Sequence, residues 1–170
     1  AHDGEMLPTL SDPAAFTLGE NIAATPGSVV FRNRMLELIQ YTPTTPTVHA
    51  TPIVIFPPWI NKFYIMDLKP ENSLIRWIVD QGYTLFVVSW VNPDASYRDV
   101  GMGDYIEDGY LTVFREIKAI TAQPQINAVG YCIAGTTLSM TLALLKARGD
   151  ETVKSATFFT TLTDFGEQGE

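Results

Sequence analysis

The segment that decides the fold comprises residues 126–135, INAVGYCIAG. Its first residues are apolar or β-prone, a glycine-flanked turn follows, and the residues after the cysteine are typical of a helix. A turn of this kind holds its central residue in a strained backbone conformation, so the neighbours two positions away must be small. Gly130 and Ala134 occupy those two positions, and Gly135 follows. The pattern predicts a nucleophile elbow that presents Cys132 at its tip.

A lone cysteine also has a structural interpretation, because unpaired cysteines most often serve as small buried hydrophobic residues. The combination of strand, tight turn and helix favours the nucleophile instead. The helix that follows Cys132 would direct unpaired N–H groups and positive potential toward the sulfur. That environment stabilises a thiolate and any oxyanion formed beside it.

The rest of the sequence predicts strands that alternate with helices. Apolar or β-rich runs predict strands at residues 28–32, 35–41, 52–56, 85–90, 126–129 and 153–159. Helical spacing predicts helices at residues 70–81, 105–122 and 133–148, with a short helix around residues 12–22. This order matches the middle of an α/β-hydrolase fold, a mostly parallel central sheet with helices on both faces. We expect a surface segment at residues 1–26, the first part of the core at 27–160 and the start of a cap at 161–170.

The composition limits the class of protein. With 170 residues, 46% of them hydrophobic and 18% charged, the chain can bury a globular core. The net charge of −8 and the lack of a basic run argue against a nucleic-acid partner. One cysteine excludes an internal disulfide and fits a reducing compartment, and no apolar run approaches the length of a membrane span. We expect no signal peptide, no metal site and no bound cofactor.

A thiolate that attacks an acyl carbon creates an oxyanion, which needs two hydrogen-bond donors. We expect one to be the backbone N–H of Ile133, directly after the nucleophile. The other should come from the loop after Phe56, where Pro57 and Pro58 have no N–H to offer. The candidates are therefore the next three residues; the amides of Trp59 and Ile60 are favoured over that of Asn61.

A general base is also required, because free cysteine is mostly protonated near neutral pH. The chain has two histidines, His2 and His49, and both precede the elbow. In α/β-hydrolases the acid and then the histidine follow the nucleophile. We expect His49 to be structural or solvated in a proline-rich loop, and the base to lie beyond residue 170. Asp164 follows the last strand and is a candidate acid, although a turn or capping role is commoner for aspartate.

The choice of cysteine over serine indicates the substrate class. Exchange between a thiol and a thioester is close to thermoneutral. The acyl group therefore reaches the enzyme without loss of the free energy of its thioester bond, and it stays reactive toward a hydroxyl. This favours acyl transfer from a thioester carrier such as coenzyme A, although cysteine-dependent hydrolases remain compatible with the same residues.

Four stretches resemble signatures of the polyhydroxyalkanoate (PHA) synthases. They are residues 57–68 (PPWINKFYIMDL), 88–94 (VSWVNPD), 130–135 (GYCIAG) and 160–165 (TTLTDF). The third is similar to the cysteine-containing lipase box of that family, with Ala134 where glycine is more frequent; alanine is small enough for the elbow. The continuous sequence before the third strand looks more like the single-subunit, short-chain class than the two-subunit class.

The resemblance implies an acyltransferase that polymerises (R)-3-hydroxyacyl-CoA, with 3-hydroxybutyryl-CoA as the expected monomer, and releases CoA. Cys132 would carry the growing polyester as a thioester, and an aspartate and a histidine downstream would assist it. The chain would be the N-terminal part of the catalytic domain, ending where the mobile cap begins, and would be inactive alone. Family members are homodimers at cytoplasmic polymer granules. CoA thioester is substrate, so no cofactor is implied.

Two further hypotheses stay open at this point. A cysteine-dependent α/β-hydrolase would cleave small esters or thioesters with the same elbow, and a non-catalytic granule-binding scaffold would keep the fold without a histidine. Within the synthase interpretation, Asn61 and Lys62 are expected near the substrate. Lys62 and Arg98 are candidate cations for the anionic CoA by position alone.

Overall fold

The computed structural model describes residues 12–166. Its strands are β1 (Gly27–Arg32), β2 (Leu36–Tyr41), β3 (His49–Phe56), β4 (Asp67–Lys69), β5 (Asn72–Ser73), β6 (Tyr83–Trp90), β7 (Ile126–Tyr131) and β8 (Val153–Phe159). Its helices are α1 (Leu74–Asp80), α2 (Met102–Asp104), a π-helix (Tyr105–Leu111), α3 (Thr112–Thr121) and α4 (Ile133–Ala147). Short 3₁₀ helices lie at Pro13–Ala15, Phe63–Met66 and Ala95–Tyr97.

Six strands form one sheet in the order β1-β2-β6-β3-β7-β8. Strands β6, β3, β7 and β8 are parallel, and the antiparallel β1–β2 hairpin extends the sheet beyond β6. The predicted hairpin and the mostly parallel sheet are confirmed. Because Phe56 pairs with Gly130 and Tyr131 with Phe159, the carboxyl ends of β3, β7 and β8 meet at one edge. Ligands of open α/β sheets bind at this edge.

Buried side chains form two clusters, as the prediction of helices on both faces requires. The larger cluster includes Phe56, Trp90, Tyr110 and Phe114, where Phe56 stacks on Tyr110 with ring centroids 4.0 Å apart. The smaller cluster lies against α1 and includes Ile55, Ile75, Val79, Leu85 and Val87. Neighbouring residues of β3 and β6 thus serve opposite clusters, as alternation along a strand dictates.

The N-terminal helix expected around residues 12–22 is wrong, apart from one 3₁₀ turn at Pro13–Ala15. The side chain of Asn21 accepts a hydrogen bond from the Thr17 backbone N–H (2.7 Å) and donates one to the Ala15 carbonyl (2.8 Å). These bonds from a side chain to the backbone replace the helical ladder, as is common for asparagine in loops. Residues 1–11, which include His2, and residues 167–170 lie outside the described residues. The expected domain boundaries at residues 26 and 160 stay predictions.

Two element boundaries also differ from the prediction. Residues 70–73 belong to a small β4–β5 hairpin rather than to α1, because the Ser73 hydroxyl accepts a hydrogen bond from the Arg76 N–H (2.9 Å) and caps the helix there. His49 is not in a loop: it begins β3, its N–H donates to the Gly82 carbonyl (2.8 Å), and its ring packs on Tyr83.

The helix predicted at residues 105–122 begins as a π-helix. Its helical spacing predicts an apolar stripe of Ile106, Tyr110, Val113, Phe114, Ile117 and Ile120, and the structure buries this stripe only in part. Ile106 is half-buried and Ile120 is exposed, whereas Tyr105, Gly109 and Tyr110 are buried. The i→i+5 hydrogen-bonding pattern of a π-helix adds a residue to the turn and moves the buried face. Ala122, in the left-handed conformation (φ 54°), follows the end of α3.

Within residues 12–166, no helix combines the length and apolar character needed to span a membrane.

Candidate active site

The predicted strand–turn–helix around Cys132 is present. Cys132 lies directly between β7 and α4, is exposed, and has φ 55° and ψ −126°. A non-glycine residue in this region of backbone space is strained, and such strain concentrates at functional sites. Its own N–H donates to the Phe159 carbonyl (2.8 Å), while its carbonyl accepts from the Gly135 N–H (2.8 Å). These bonds fix the backbone on both sides of the exposed thiol.

Glycine is required at two positions around the turn. A Cβ on Gly130 would lie 2.6 Å from the Cα of Gly135, and a Cβ on Gly135 would lie 2.0 Å from the Thr161 hydroxyl oxygen. Ala134 is fully buried, so its methyl group fits the elbow. Sequence reasoning identified Gly130 and Ala134 as the small neighbours; the structure adds Gly135, whose need for glycine arises from a contact with residues beyond β8.

The first expected oxyanion donor lies where a free N–H is available. Ile133 is the first residue of α4, and the N–H groups of a first helical turn have no intrahelical acceptor. The exposed thiol of Cys132 and the N-terminus of α4 therefore adjoin each other. The partial positive charge of that helix end favours an anion beside it. The role of Ile133 as a donor stays a prediction.

The loop after β3 narrows the choice of the second donor. The Asn61 N–H donates to the Pro58 carbonyl at 2.9 Å, which closes a turn with Trp59 and Ile60 at its two central positions. The amide of Asn61 is therefore engaged within the loop. Trp59 and Ile60 stay the predicted donors, and Ile60 is 74% exposed.

The ring of Trp59 links this loop to the elbow helix. It stacks on Tyr105 with centroids 4.8 Å apart and planes 26° apart. Its Nε1–H donates a long hydrogen bond of 3.4 Å to the hydroxyl of Thr137 on α4, and that hydroxyl donates to the Ile133 carbonyl at 3.0 Å. Neither Tyr105 nor Thr137 could be assigned from sequence spacing, because their contacts cross between elements.

A second tyrosine of the π-helix touches the elbow helix itself. The Tyr110 hydroxyl donates a 2.6 Å hydrogen bond to the Ala134 carbonyl. Burial raises the pKa of this hydroxyl well above its ordinary value, so Tyr110 remains a neutral donor throughout the physiological range. The helical spacing predicted Tyr110 only as a member of the apolar stripe, and did not predict its polar contact with the elbow helix.

The residues expected near the substrate lie at the end of the loop after β3. Asn61 and Lys62 are exposed, and the Asn61 side-chain carbonyl accepts from the Lys62 N–H at 2.8 Å. Both line a shallow cavity of about 260 Å³ together with Ser89, Trp90 and Asn92. Arg98, the other candidate cation, is exposed and lies 3.7 Å from the Asp99 carboxylate; it does not line this cavity.

The chain's candidates for the general base and its supporting acid are His49 and Asp164. His49 begins β3, whereas Cys132 follows the strand that pairs with the other end of β3. The length of β3 therefore separates them, roughly 23 Å at the usual rise per residue. The carboxylate of Asp164 accepts from the Gly166 N–H at 2.9 Å, which is a turn contact; its role as an acid stays a prediction. Within residues 12–166, no group of three or more His, Cys, Asp or Glu residues could hold a metal.

Comparisons with known proteins show which proteins the chain resembles. The family model described as "Poly-beta-hydroxybutyrate polymerase (PhaC) N-terminus" matches residues 1–78. A poly(3-hydroxyalkanoate) polymerase of Methylorubrum extorquens is 49% identical over 170 residues, covering 100% of this chain and 28% of its own length. The polymerase subunit PhaC of Cupriavidus necator is 47% identical over 159 residues, covering 94% and 27% respectively.

A solved fungal esterase of Rhizomucor miehei matches with a TM-score of 0.60 and 15% identity, over 94% of this chain and 50% of its own. Together with the parallel sheet, this likeness confirms the predicted α/β-hydrolase fold. The chain spans little more than a quarter of the length of the curated relatives it matches. The matches over all or nearly all of the chain, together with the family model over residues 1–78, support the expected similarity to the N-terminal part of a PHA synthase.

Proposed function

We propose that the full-length protein is an acyltransferase that polymerises (R)-3-hydroxyacyl-CoA into PHA and releases CoA, with 3-hydroxybutyryl-CoA as the monomer. The observation that carries the proposal is the exposed Cys132 at a strained elbow, in a chain 49% identical to a poly(3-hydroxyalkanoate) polymerase. A thiol at this position suits a thioester substrate, because the acyl group moves between two sulfur atoms of similar chemistry.

The first step is acyl transfer to the enzyme. The Sγ thiolate of Cys132 attacks the carbonyl carbon of the acyl-CoA, and the carbonyl oxygen becomes an oxyanion beside the Ile133 N–H. The second donor is the Trp59 or Ile60 N–H of the neighbouring turn. Collapse of the intermediate breaks the C–S bond to CoA, which leaves as a thiolate and takes up the proton that Cys132 lost.

The second step extends the polymer. The hydroxyl of one hydroxyacyl group attacks the thioester carbonyl of another, a C–O ester bond forms and the C–S bond breaks. A base must accept the hydroxyl proton. The sulfur leaves as a thiolate and receives this proton by way of the base. Since His49 lies at the far end of β3, we assign this base to a histidine outside the chain, with an aspartate that orients it. No redox change occurs.

The same proposal includes the surroundings of the enzyme. Asn61 and Lys62, in the loop after β3, line a shallow cavity, and Lys62 supplies a positive charge where the anionic CoA would approach. Because the product is an insoluble polyester, we assign the enzyme to cytoplasmic polymer granules. We assign its working assembly as a homodimer. These assignments follow from the family and from the chemistry of the product.

The test uses the full-length protein with (R)-3-hydroxybutyryl-CoA and follows both CoA release and the fate of the acyl group. Insoluble polyester together with CoA release supports the polymerase. CoA release with free 3-hydroxybutyrate means that water resolves the thioester, and a cysteine-dependent hydrolase is then the correct function. Cys132→Ala should abolish CoA release without unfolding the protein. Turnover retained in this variant would contradict both enzymatic functions.

A further inference from the structure

We propose that the π-helix Tyr105–Leu111 is a positioning element, which holds the loop after β3 and the elbow helix α4 in the register that the oxyanion requires. Tyr105 and Gly109 contact the loop side of the site, and Tyr110 contacts the elbow side. This inference rests on the proposed acyl transfer at Cys132.

The π-helical geometry explains why one short segment reaches both sides. Hydrogen bonds from i to i+5 place residues five apart on neighbouring turns of the same face. Tyr105 and Tyr110 are five apart, and both are buried together with Gly109. Glu107, on the opposite face, is exposed. A regular α-helix would align residues three and four apart, and could not bury this set equally.

On the loop side, the π-helix makes two contacts. Tyr105 stacks on Trp59, one of the two predicted donors of the turn, at 4.8 Å. Gly109 lies against Trp90, where an added Cβ would come within 3.0 Å of the indole ring. The Nε1–H of Trp90 donates to the Pro57 carbonyl at 2.8 Å, and this bond is buried. The segment therefore supports the loop both at its start and at its turn.

On the elbow side, the hydrogen bond from the Tyr110 hydroxyl ends two residues after Cys132, at the Ala134 carbonyl (2.6 Å). The ring of Tyr110 also stacks on Phe56, the last residue of β3. Tyr110 thus contacts the strand that leads into the loop and the helix that carries Ile133. Tyr110 therefore links the two elements that lead to the predicted donors.

The outer face of the segment is itself fixed to the β1–β2 turn. The Asn33 side-chain amide donates to the Asp108 carbonyl at 2.8 Å. The Arg34 guanidinium bridges two carboxylates, Asp108 at 2.6 Å and Asp104 at 2.7 Å. The π-helix is consequently held from the outside while it contacts the site from the inside, as a positioning element must be.

Two reactions of Cys132 separate positioning from folding. Acylation by (R)-3-hydroxybutyryl-CoA passes through an oxyanion, whereas alkylation by iodoacetamide displaces iodide and forms none. In the full-length protein, we expect Tyr105→Leu to slow single-turnover acylation by about 10- to 100-fold, since displacing catalytic groups by an ångström costs about 100-fold. Alkylation should stay within about twofold of wild type, since it needs only the exposed thiol.

Three further variants complete the test. Tyr105→Phe keeps the stacked ring and should restore acylation to near the wild-type rate. Tyr110→Phe removes one hydroxyl without changing the packed ring, and should slow acylation by several-fold at unchanged alkylation. Arg76→Gln changes the exposed face of α1, breaks the 3.7 Å ion pair to Asp80, and should alter neither reaction.

The outcomes distinguish a failure of the positioning role from a failure of the proposed function. Acylation at the wild-type rate in both Tyr105→Leu and Tyr110→Phe would overturn the positioning role. Equal slowing of acylation and alkylation would also overturn it, because a general disturbance of the elbow would then be the cause. If Cys132 of the wild-type protein is alkylated but never acylated, the proposed function itself fails, and the positioning role fails with it.

Discussion

Gly130 and Gly135 lie backbone to backbone across the elbow, and a Cβ on Gly130 would meet the Cα of Gly135 at 2.6 Å. This contact lets α4 begin directly behind β7, so the helix N-terminus lies at the thiol of Cys132. The elbow therefore depends on two glycines that flank it, and each variant of them tests how closely the helix must approach the strand.

Gly130→Ala should destabilise the full-length protein by about 1–3 kcal/mol, the usual cost of overpacking a tight site. The atoms that the new methyl group would meet include the backbone of Gly135, which cannot rotate away. CoA release should fall as α4 moves from the strand. Thermal unfolding and CoA release measure the two effects. Gly103→Ala is the matched control, because a Cβ there meets nothing within 4 Å; equal behaviour of the two variants would refute the packing explanation.

A buried carboxylate at the start of β4 anchors the segment that follows the loop after β3. Asp67, 1% exposed, accepts hydrogen bonds from the hydroxyls of Thr25 (2.7 Å) and Ser73 (2.6 Å). Asp67→Ala should lower stability by about 1–3 kcal/mol, since the two half-buried hydroxyls lose their acceptor. Asp67→Asn keeps one acceptor oxygen and should lose less. Thermal midpoints that rank the alanine variant equal to or above the asparagine variant would contradict the anchor.

The loss of folding stability at acid pH should depend on Asp104. Hydrogen bonds from the Gly101 N–H and then from the Arg34 guanidinium lower the pKa of this carboxyl. A carboxyl whose pKa is lowered by folding stabilises the folded state above its unfolded pKa of about 3.9. That contribution disappears as pH falls through the lower, folded pKa.

Asp104→Asn should therefore be less stable than wild type at pH 6, and the difference should shrink to zero as the pH falls below about 4. Thermal unfolding of both proteins across this range measures the effect. Because Asp104 is partly exposed and paired with Arg34, the difference should also narrow at high salt. A gap that widens toward acid pH would have the wrong sign for this explanation.

Local signals made the elbow and the sheet predictable from sequence. Gly130, Cys132 and Ala134 lie within five residues, and the buried strands are continuous apolar runs, so neither feature needs knowledge of distant contacts. The prediction of a strand at residues 153–159 coincides with β8. The boundaries of helices were predicted wrongly where a side chain accepts a hydrogen bond from the backbone. Asn21 does so near the N-terminus, and Ser73 does so before α1.

The supporting residues of the site could not be predicted, because their contacts join elements far apart in sequence. The π-helix has the composition of an ordinary helix, and its extra residue is visible only in which side chains it buries. The bond between Tyr110 and Ala134 spans 24 positions, and that between Trp59 and Thr137 spans 78. The engagement of the Asn61 amide likewise depends on the turn that the loop adopts, which two prolines do not specify.

The most direct measurement of the central claim is the mass of the peptide that contains Cys132, after the full-length protein is mixed with (R)-3-hydroxybutyryl-CoA and quenched in acid. We predict that this peptide gains one or more 3-hydroxybutyryl units, that the added mass lies on the cysteine sulfur, and that hydroxylamine removes it. Cys132→Ala should show no such gain. An unmodified Cys132 peptide during continuing CoA release would contradict covalent catalysis at the elbow.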